Sequence, residues 1–274
     1  MNFLDGRAVV VTGAGRGLGA AFARHAAAAG AAVVVNDIDG ELAEEVARGI
    51  RGTAGKAVAS AHSVADAEQA GALIQQCVAE FGAIDGLVNN AGLNYKSVPW
   101  EDDPARIRAL IEVNVLGSLY CGVAAAKAMR GGSIVNIASG SLLGQRNAAA
   151  YSASKGAIAS MTFSWAVDLA PRGIRVNALC PIAWTRMVWD DPKGTTAGQT
   201  PERIAPAVTY LLSDLAAGVT GQLVRFHGDR LQIVRQPAVK EPVLTKESWG
   251  VEDVAEAFGN ELAAALEPPP SARW

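Results

Sequence analysis

Histidine and cysteine are scarce in this chain, with three of each in 274 residues, and neither type clusters. Cys77, Cys121 and Cys180 have no metal-ligand spacing, and an odd number makes no disulfide framework, so reduced, buried thiols are expected. No grouping of His, Cys and carboxylate suggests a metal. His25 and His227 fit packing or capping roles. The 24 Lys and Arg residues face 27 Asp and Glu, a net charge of −3 with no basic stripe, which argues against a nucleic-acid partner. Apolar runs such as residues 31–35 are too short to cross a bilayer. Residues 1–7 carry Asp5 and pass straight into an apolar strand pattern, so neither a signal nor a transit peptide is expected and the reading is cytoplasmic. Two catalytic classes are also missing their marks. The glycine-rich stretch near the start lacks the Gly-Lys-Ser/Thr of a mononucleotide kinase, and no Gly-x-Ser-x-Gly elbow of a serine hydrolase occurs.

What remains is apolar and periodic. Half the residues are hydrophobic, many of them alanine, and from Ala8 short β-branched runs alternate with longer helical patterns, the signature of βαβ units around a parallel sheet. Seven strands are expected, at residues 8–12, 32–36, 57–61, 86–89, 133–137, 175–179 and 222–226. Right-handed crossovers then place helices on both sheet faces. No linker divides residues 1–230, which read as one domain. Residues 183–200 form a polar, glycine-containing stretch too long for an ordinary connection and are expected to be a lid, with Trp184, Met187 and Trp189 as apolar walls. Residues 231–274 form a C-terminal extension, extended and then helical, in which Val251, Val254, Phe258, Leu262 and Leu266 share a face. It is expected to pack on the domain or at a subunit interface, with residues 268–274 frayed.

Thr12-Gly13-Ala14-Gly15-Arg16-Gly17-Leu18-Gly19 follows the first strand and opens a helix. There the missing β-carbons let backbone approach a pyrophosphate at the helix N-terminus. Asp37 comes 18 residues after Gly19, just past the second strand, where a carboxylate accepts both ribose hydroxyls of NAD and repels the extra phosphate of NADP. Asp39 could share that task, and the guanidinium of Arg16 pulls the other way.

Tyr151 and Lys155 stand four apart in an alanine-rich helical run, so a phenol and an ammonium share one helix face. Lowering a tyrosine from about 10 to near neutrality needs roughly 4 kcal/mol. One unit charge about 4 Å away at an effective dielectric of ~20 supplies about that.

Taken in order, Thr-Gly-x-x-x-Gly-x-Gly, Asn89-Asn90-Ala91-Gly92, a serine after a hydrophobic strand and Tyr-x-x-x-Lys resemble the short-chain dehydrogenase/reductase family. The resemblance implies a Rossmann-like, doubly wound α/β fold and a dehydrogenase acting on secondary alcohols or their ketones. It implies coenzyme contacts at Gly13, Gly15, Arg16, Gly17, Leu18, Gly19, Asp37, Ser63, Val64, Asn90, Ala91, Gly92, Pro181 and Thr185. Ser139, Tyr151 and Lys155 match the catalytic serine, tyrosine and lysine, with Ser141 as the alternative serine. Asn114 matches the asparagine that holds a proton-relay water near the lysine. The coenzyme expected is NAD rather than NADP, and the assembly a homodimer or homotetramer. Residues 34–37, 62–64 and 185–187 further resemble the (3R)-hydroxyacyl-CoA dehydrogenase part of peroxisomal-type multifunctional enzymes. That likeness suggests a 3-hydroxyacyl thioester beside a steroid, sugar or simple alcohol as substrate. Two positions depart from the family pattern: His62 replaces an aspartate near the adenine, and Ile182 a glycine after Pro181.

Overall fold

Successive side chains of a strand point to opposite faces, and the valine-rich strands use both. In the computed structural model, which describes residues 2–183, 198–227 and 229–267, Val9, Val11, Val33 and Val35 enter one core layer and Ala8, Val10 and Val34 the other. The strands are β1 (Ala8–Val11), β2 (Ala32–Asn36), β3 (Lys56–Ser60), β4 (Gly86–Asn89), β5 (Gly132–Ile137), β6 (Ile174–Ile182), β7 (Leu223–His227) and β8 (Arg230–Val234). They lie in the order β3-β2-β1-β4-β5-β6-β7-β8. All seven expected parallel strands are present. An eighth, β8, folds back antiparallel on β7, so the sheet continues past residue 230.

The helices are α1 (Gly17–Ala28), α2 (Gly40–Arg51), α3 (Ala67–Phe81), α4 (Pro104–Ile111), α5 (Gly117–Ala128), α6 (Ala149–Asp168), α7 (Pro201–Leu212) and α8 (Val251–Gly259). Phe22 of α1, Val46 of α2 and Ile204 of α7 cover one sheet face. Leu73 of α3, Cys121 of α5 and Ala166 of α6 cover the other. Helix starts follow capping chemistry: Asp39 and Asp66 accept the Leu42 and Gln69 backbone N–H groups at the starts of α2 and α3.

Between α4 and α5 the chain widens into one π-helical turn, Glu112–Leu116. The whole run Pro104–Ala128 is long and apolar enough by composition to cross a membrane. Within it Leu110, Cys121 and Ala125 are fully buried in the fold.

The chain divides into two compact units, Met1–Val234 and Arg235–Trp274. In the second, the Asp253 carboxylate accepts the Gly250 N–H to cap α8 and pairs with Lys246. The expected apolar helix face is shorter than its pattern, because α8 ends at Gly259 and Leu262 and Leu266 lie beyond it. Leu244, Trp249, Val254, Phe258 and Leu262 line a small cleft within this unit. Thr185, Trp184, Met187, Trp189, nearly all of the expected lid, and residues 268–274 lie outside the described residues.

Candidate active site

β1 is flanked by β2 on one side and β4 on the other, so crossovers run in opposite directions from it and leave a crevice at the carboxyl ends of the strands. The glycine turn sits there. Gly13 has φ +60°, and a Cβ on it would come within 2.7 Å of the Ala91 Cα. At Gly19 a Cβ would lie 2.3 Å from the Gly13 carbonyl oxygen and 2.5 Å from Asn90 Nδ2. Thr12 and Asn90 hold this turn together. Asn90 Nδ2 donates to the carbonyls of Thr12 and Gly13 at 2.8 and 2.9 Å, while Thr12 Oγ1 accepts the Asn90 and Ala91 N–H groups, both at 3.0 Å. Arg16 is exposed in extended conformation at the start of α1, followed by Gly17 at φ +55° and a partly buried Leu18.

Asp37 lies against the turn. Its Oδ2 accepts the Gly15 N–H at 2.9 Å and its Oδ1 the Asp39 N–H at 3.1 Å, in a buried position. A Cβ on Gly15 would collide with that carboxylate at 2.9 Å. The cradle thus has backbone donors and a fixed carboxylate where a dinucleotide's phosphates and ribose would rest, so the residues present fit the coenzyme that the sequence implies. Ser63 and Val64 follow β3; Gln69 Oε1 accepts the Ser63 N–H, and Val64 is buried. His62 is tied to the same strand end, its Nδ1 2.9 Å from Ser60 Oγ.

Across the crevice, α6 presents Tyr151 and Lys155. The Ser139 hydroxyl lies close enough to Tyr151 to favour its phenolate form. Ser139 Oγ also accepts the Ser141 N–H at 3.2 Å. The Ser141 hydroxyl is buried and without a partner. The geometry therefore brings Ser139, rather than Ser141, to the tyrosine. Lys155 is buried and donates to the Ile137 carbonyl at 2.7 Å, with Nζ 5.6 Å from the centre of the Tyr151 ring. That carbonyl carries no side-chain signature and was beyond the reach of motif reading.

Electrostatics in the ligand-free protein differ from the simple expectation that Lys155 depresses Tyr151. Burial pushes the tyrosine up to about 12, opposed by the neighbouring Ser139 hydroxyl. Burial likewise pushes Lys155 down to about 8. Both shifts have one cause: a low-dielectric site disfavours phenolate and ammonium alike. Cys180 of β6 is the nearby thiol, itself held neutral by burial with a value of about 12.

Asn114 sits in the π turn, a distortion common at functional sites. Its side chain is fully committed: Oδ1 accepts the Leu93 N–H at 2.7 Å, and Nδ2 donates to the Leu93 carbonyl at 3.0 Å and to Ser154 Oγ at 3.1 Å. Ser154 Oγ in turn donates to the Tyr151 carbonyl at 2.8 Å. The Asn114 main-chain carbonyl accepts Ser118 Oγ at 2.8 Å. Gly92 packs beside Asn114, and Pro181 lies near the end of β6 opposite Phe226. Ser154 was missed as a positioning group, although it stands within Tyr-Ser-Ala-Ser-Lys.

The short chain dehydrogenase family model matches residues 7–193. The chain belongs to the short chain dehydrogenase family. Among its relatives, cis-4-hydroxycyclohexanecarboxylate dehydrogenase of Sinomonas cyclohexanicum is 39% identical over 238 residues, spanning 81% of this chain and 95% of that protein. A short chain dehydrogenase from Mycobacterium avium matches with a TM-score of 0.90 at 32% identity, over 99% of this chain and 100% of that one. Gluconate 5-dehydrogenase from Burkholderia cenocepacia J2315, solved with NADP and tartrate, matches with a TM-score of 0.77 at 35% identity over 83% and 96% of the two chains. As a member of this family the protein is an oxidoreductase for alcohol or ketone substrates.

Proposed function

We propose that the protein is an NAD(H)-dependent dehydrogenase of secondary alcohols, with Tyr151 exchanging the hydroxyl proton. The observation that carries this reading is the convergence of Tyr151, Ser139 and Lys155 on one crevice end, facing a glycine turn buttressed by a buried aspartate. The nicotinamide coenzyme, when bound, supplies or accepts hydride. Gly13, Gly15, Gly17, Gly19, Asn90, Ala91 and Gly92 would hold its phosphates and adjoining ribose, with Arg16, Leu18, Ser63, Val64, Pro181 and Thr185 around it. Lys155 uses one of its three donors on Ile137, which leaves two for ribose hydroxyls. Ser139 donates to the substrate oxygen and stabilises the charge that develops on it.

The preference for NAD rests on Asp37, whose buried carboxylate would face a 2′-phosphate with like charge. The gluconate 5-dehydrogenase with bound NADP is the reason to test both coenzymes. A ring-borne secondary alcohol is the proposed substrate class, supported by the name of the cis-4-hydroxycyclohexanecarboxylate enzyme. The 3-hydroxyacyl thioester is the second class, supported by the short motifs alone. A cytoplasmic setting accords with three buried free cysteines. A homodimer or homotetramer accords with apolar side chains exposed on α5 and α6, where Val123 and Val167 are 45% and 74% exposed.

The experiment is a panel of cyclohexanols, hydroxycyclohexanecarboxylates, 3-hydroxyacyl thioesters, sterols and sugars, each with NAD+ and with NADP+, followed by nicotinamide absorbance. Turnover of a ring alcohol with NAD+ supports the reading. Tight NADH binding with no turnover of any member would favour a coenzyme sensor instead.

A further inference from the structure

Beneath the site lies a chain of buried polar groups of which only Asn89 falls within a motif. Asn89 at the end of β4 and Asn136 of β5 are register partners. Asn89 Nδ2 donates to Asn136 Oδ1 at 2.9 Å and to the Ser118 carbonyl at 3.3 Å. Asn136 Nδ2 donates to Thr162 Oγ1 of α6 at 3.0 Å, and Thr162 Oγ1 donates to the Ile158 carbonyl at 2.8 Å. Asn89 is 4% exposed, and Asn136 and Thr162 are fully buried.

The polarity of this chain is determined from one end. The Ser118 carbonyl can only accept, so it takes an N–H from Asn89 Nδ2. The other hydrogen of that amide then meets Asn136, which must present its oxygen. The Asn136 amide nitrogen is thereby turned to Thr162, whose own proton goes to Ile158. One consequence is visible: Asn89 Oδ1 is left buried without a partner. Apolar side chains of similar volume would fill this space without leaving an acceptor unpaired, so packing alone does not account for the arrangement.

Its position does. Asn89 directly precedes Asn90, the brace of the glycine turn. Asn136 directly precedes Ile137, whose carbonyl anchors Lys155, and stands three residues before Ser139. Thr162 lies two helical turns beyond Lys155 on the buried face of α6. We infer that Asn136 and Thr162 are positioning residues. Together with Asn89 they set the register between the coenzyme turn, the serine strand and the helix that carries Tyr151 and Lys155. This inference rests on the proposed roles of Tyr151 and Lys155.

Thr162→Val keeps shape and removes the oxygen, and Thr162→Ser keeps the oxygen. Each is titrated with NADH by fluorescence from pH 6 to 10 and assayed with the panel alcohol that the wild type oxidises fastest. For Thr162→Val the expected result is a loss in kcat on the order of tenfold to 100-fold from misplaced reacting groups. Its pH midpoint for NADH binding should also shift away from the wild-type value, and Thr162→Ser should restore both quantities. A Thr162→Val protein that loses only thermal stability, with both pH profile and kcat as in the wild type, would overturn the inference. If that variant is recovered unfolded, Thr162→Cys is compared with Thr162→Ser in its place, because a thiol is a poor acceptor of similar size. Tyr151→Phe run alongside separates the two readings. Its full activity would count against the proton role of Tyr151, whereas the NADH midpoint of the Thr162 variants reports on the strut without any turnover.

Discussion

At the residue scale, burial disfavours the charged forms of Tyr151 and Lys155 alike. Asp37 is held by two backbone N–H groups. Its replacement by serine removes charge-assisted hydrogen bonds worth about 1.5–3 kcal/mol each and the repulsion toward a 2′-phosphate. The expected outcome in isothermal titration is weaker NADH binding and stronger NADPH binding, narrowing the preference by on the order of tenfold. An unchanged ratio of the two dissociation constants would remove Asp37 from coenzyme selection.

Tyr151, Lys155 and Asp37 were legible in the sequence because spacing alone puts them at a helix face and a strand end. Three other facts were not. The Lys155 anchor is a main-chain carbonyl, and every residue has one. The Asn114 amide binds the Leu93 backbone and Ser154 through both its atoms, partners that no motif names. The sign of the Tyr151 shift depends on desolvation, which requires knowing what surrounds the phenol.

At the element scale, the seven parallel strands were legible because each is a short apolar run separated from the next by a helical pattern, and the central ones are buried on both faces. β8 escaped for the opposite reason. It follows β7 after a tight turn with no crossover helix, and Leu231 and Ile233 are 63% and 62% exposed, so its alternation points to no core. The meeting of β1 with α1 is the tightest junction at the site. Gly19→Ala would drive a methyl group into the Gly13 carbonyl and the Asn90 amide. Backbone on one side and a doubly bonded amide on the other leave little room to yield. The variant is expected to lose NADH binding by at least about tenfold, on the order of the 1–3 kcal/mol cost of overpacking, as read by fluorescence titration. Wild-type affinity in Gly19→Ala would mean that the turn opens freely and is not the cradle described here.

At the scale of the whole molecule, the sheet and both core layers are complete within Met1–Val234, and Arg235–Trp274 forms its own compact unit. A chain ending at Val234 is therefore expected to fold cooperatively and bind NADH with an affinity within about threefold of the full protein, because every proposed coenzyme contact lies in the first unit. Aggregation of that fragment, or loss of NADH binding, would show that the C-terminal unit supports the coenzyme half.

The central claim is that a buried phenol beside a lysine moves the substrate proton. Its most direct test is the rate of alcohol oxidation in wild type and Tyr151→Phe, measured by NADH formation from pH 6 to 10. Burial holds the wild-type tyrosine protonated, with a value raised to about 12, so oxidation, which needs the base form, should rise with pH across this range. Tyr151→Phe should bind NADH normally and fall by on the order of 100-fold to 10,000-fold at every pH. A Tyr151→Phe enzyme with wild-type turnover and the same rise with pH would contradict the account.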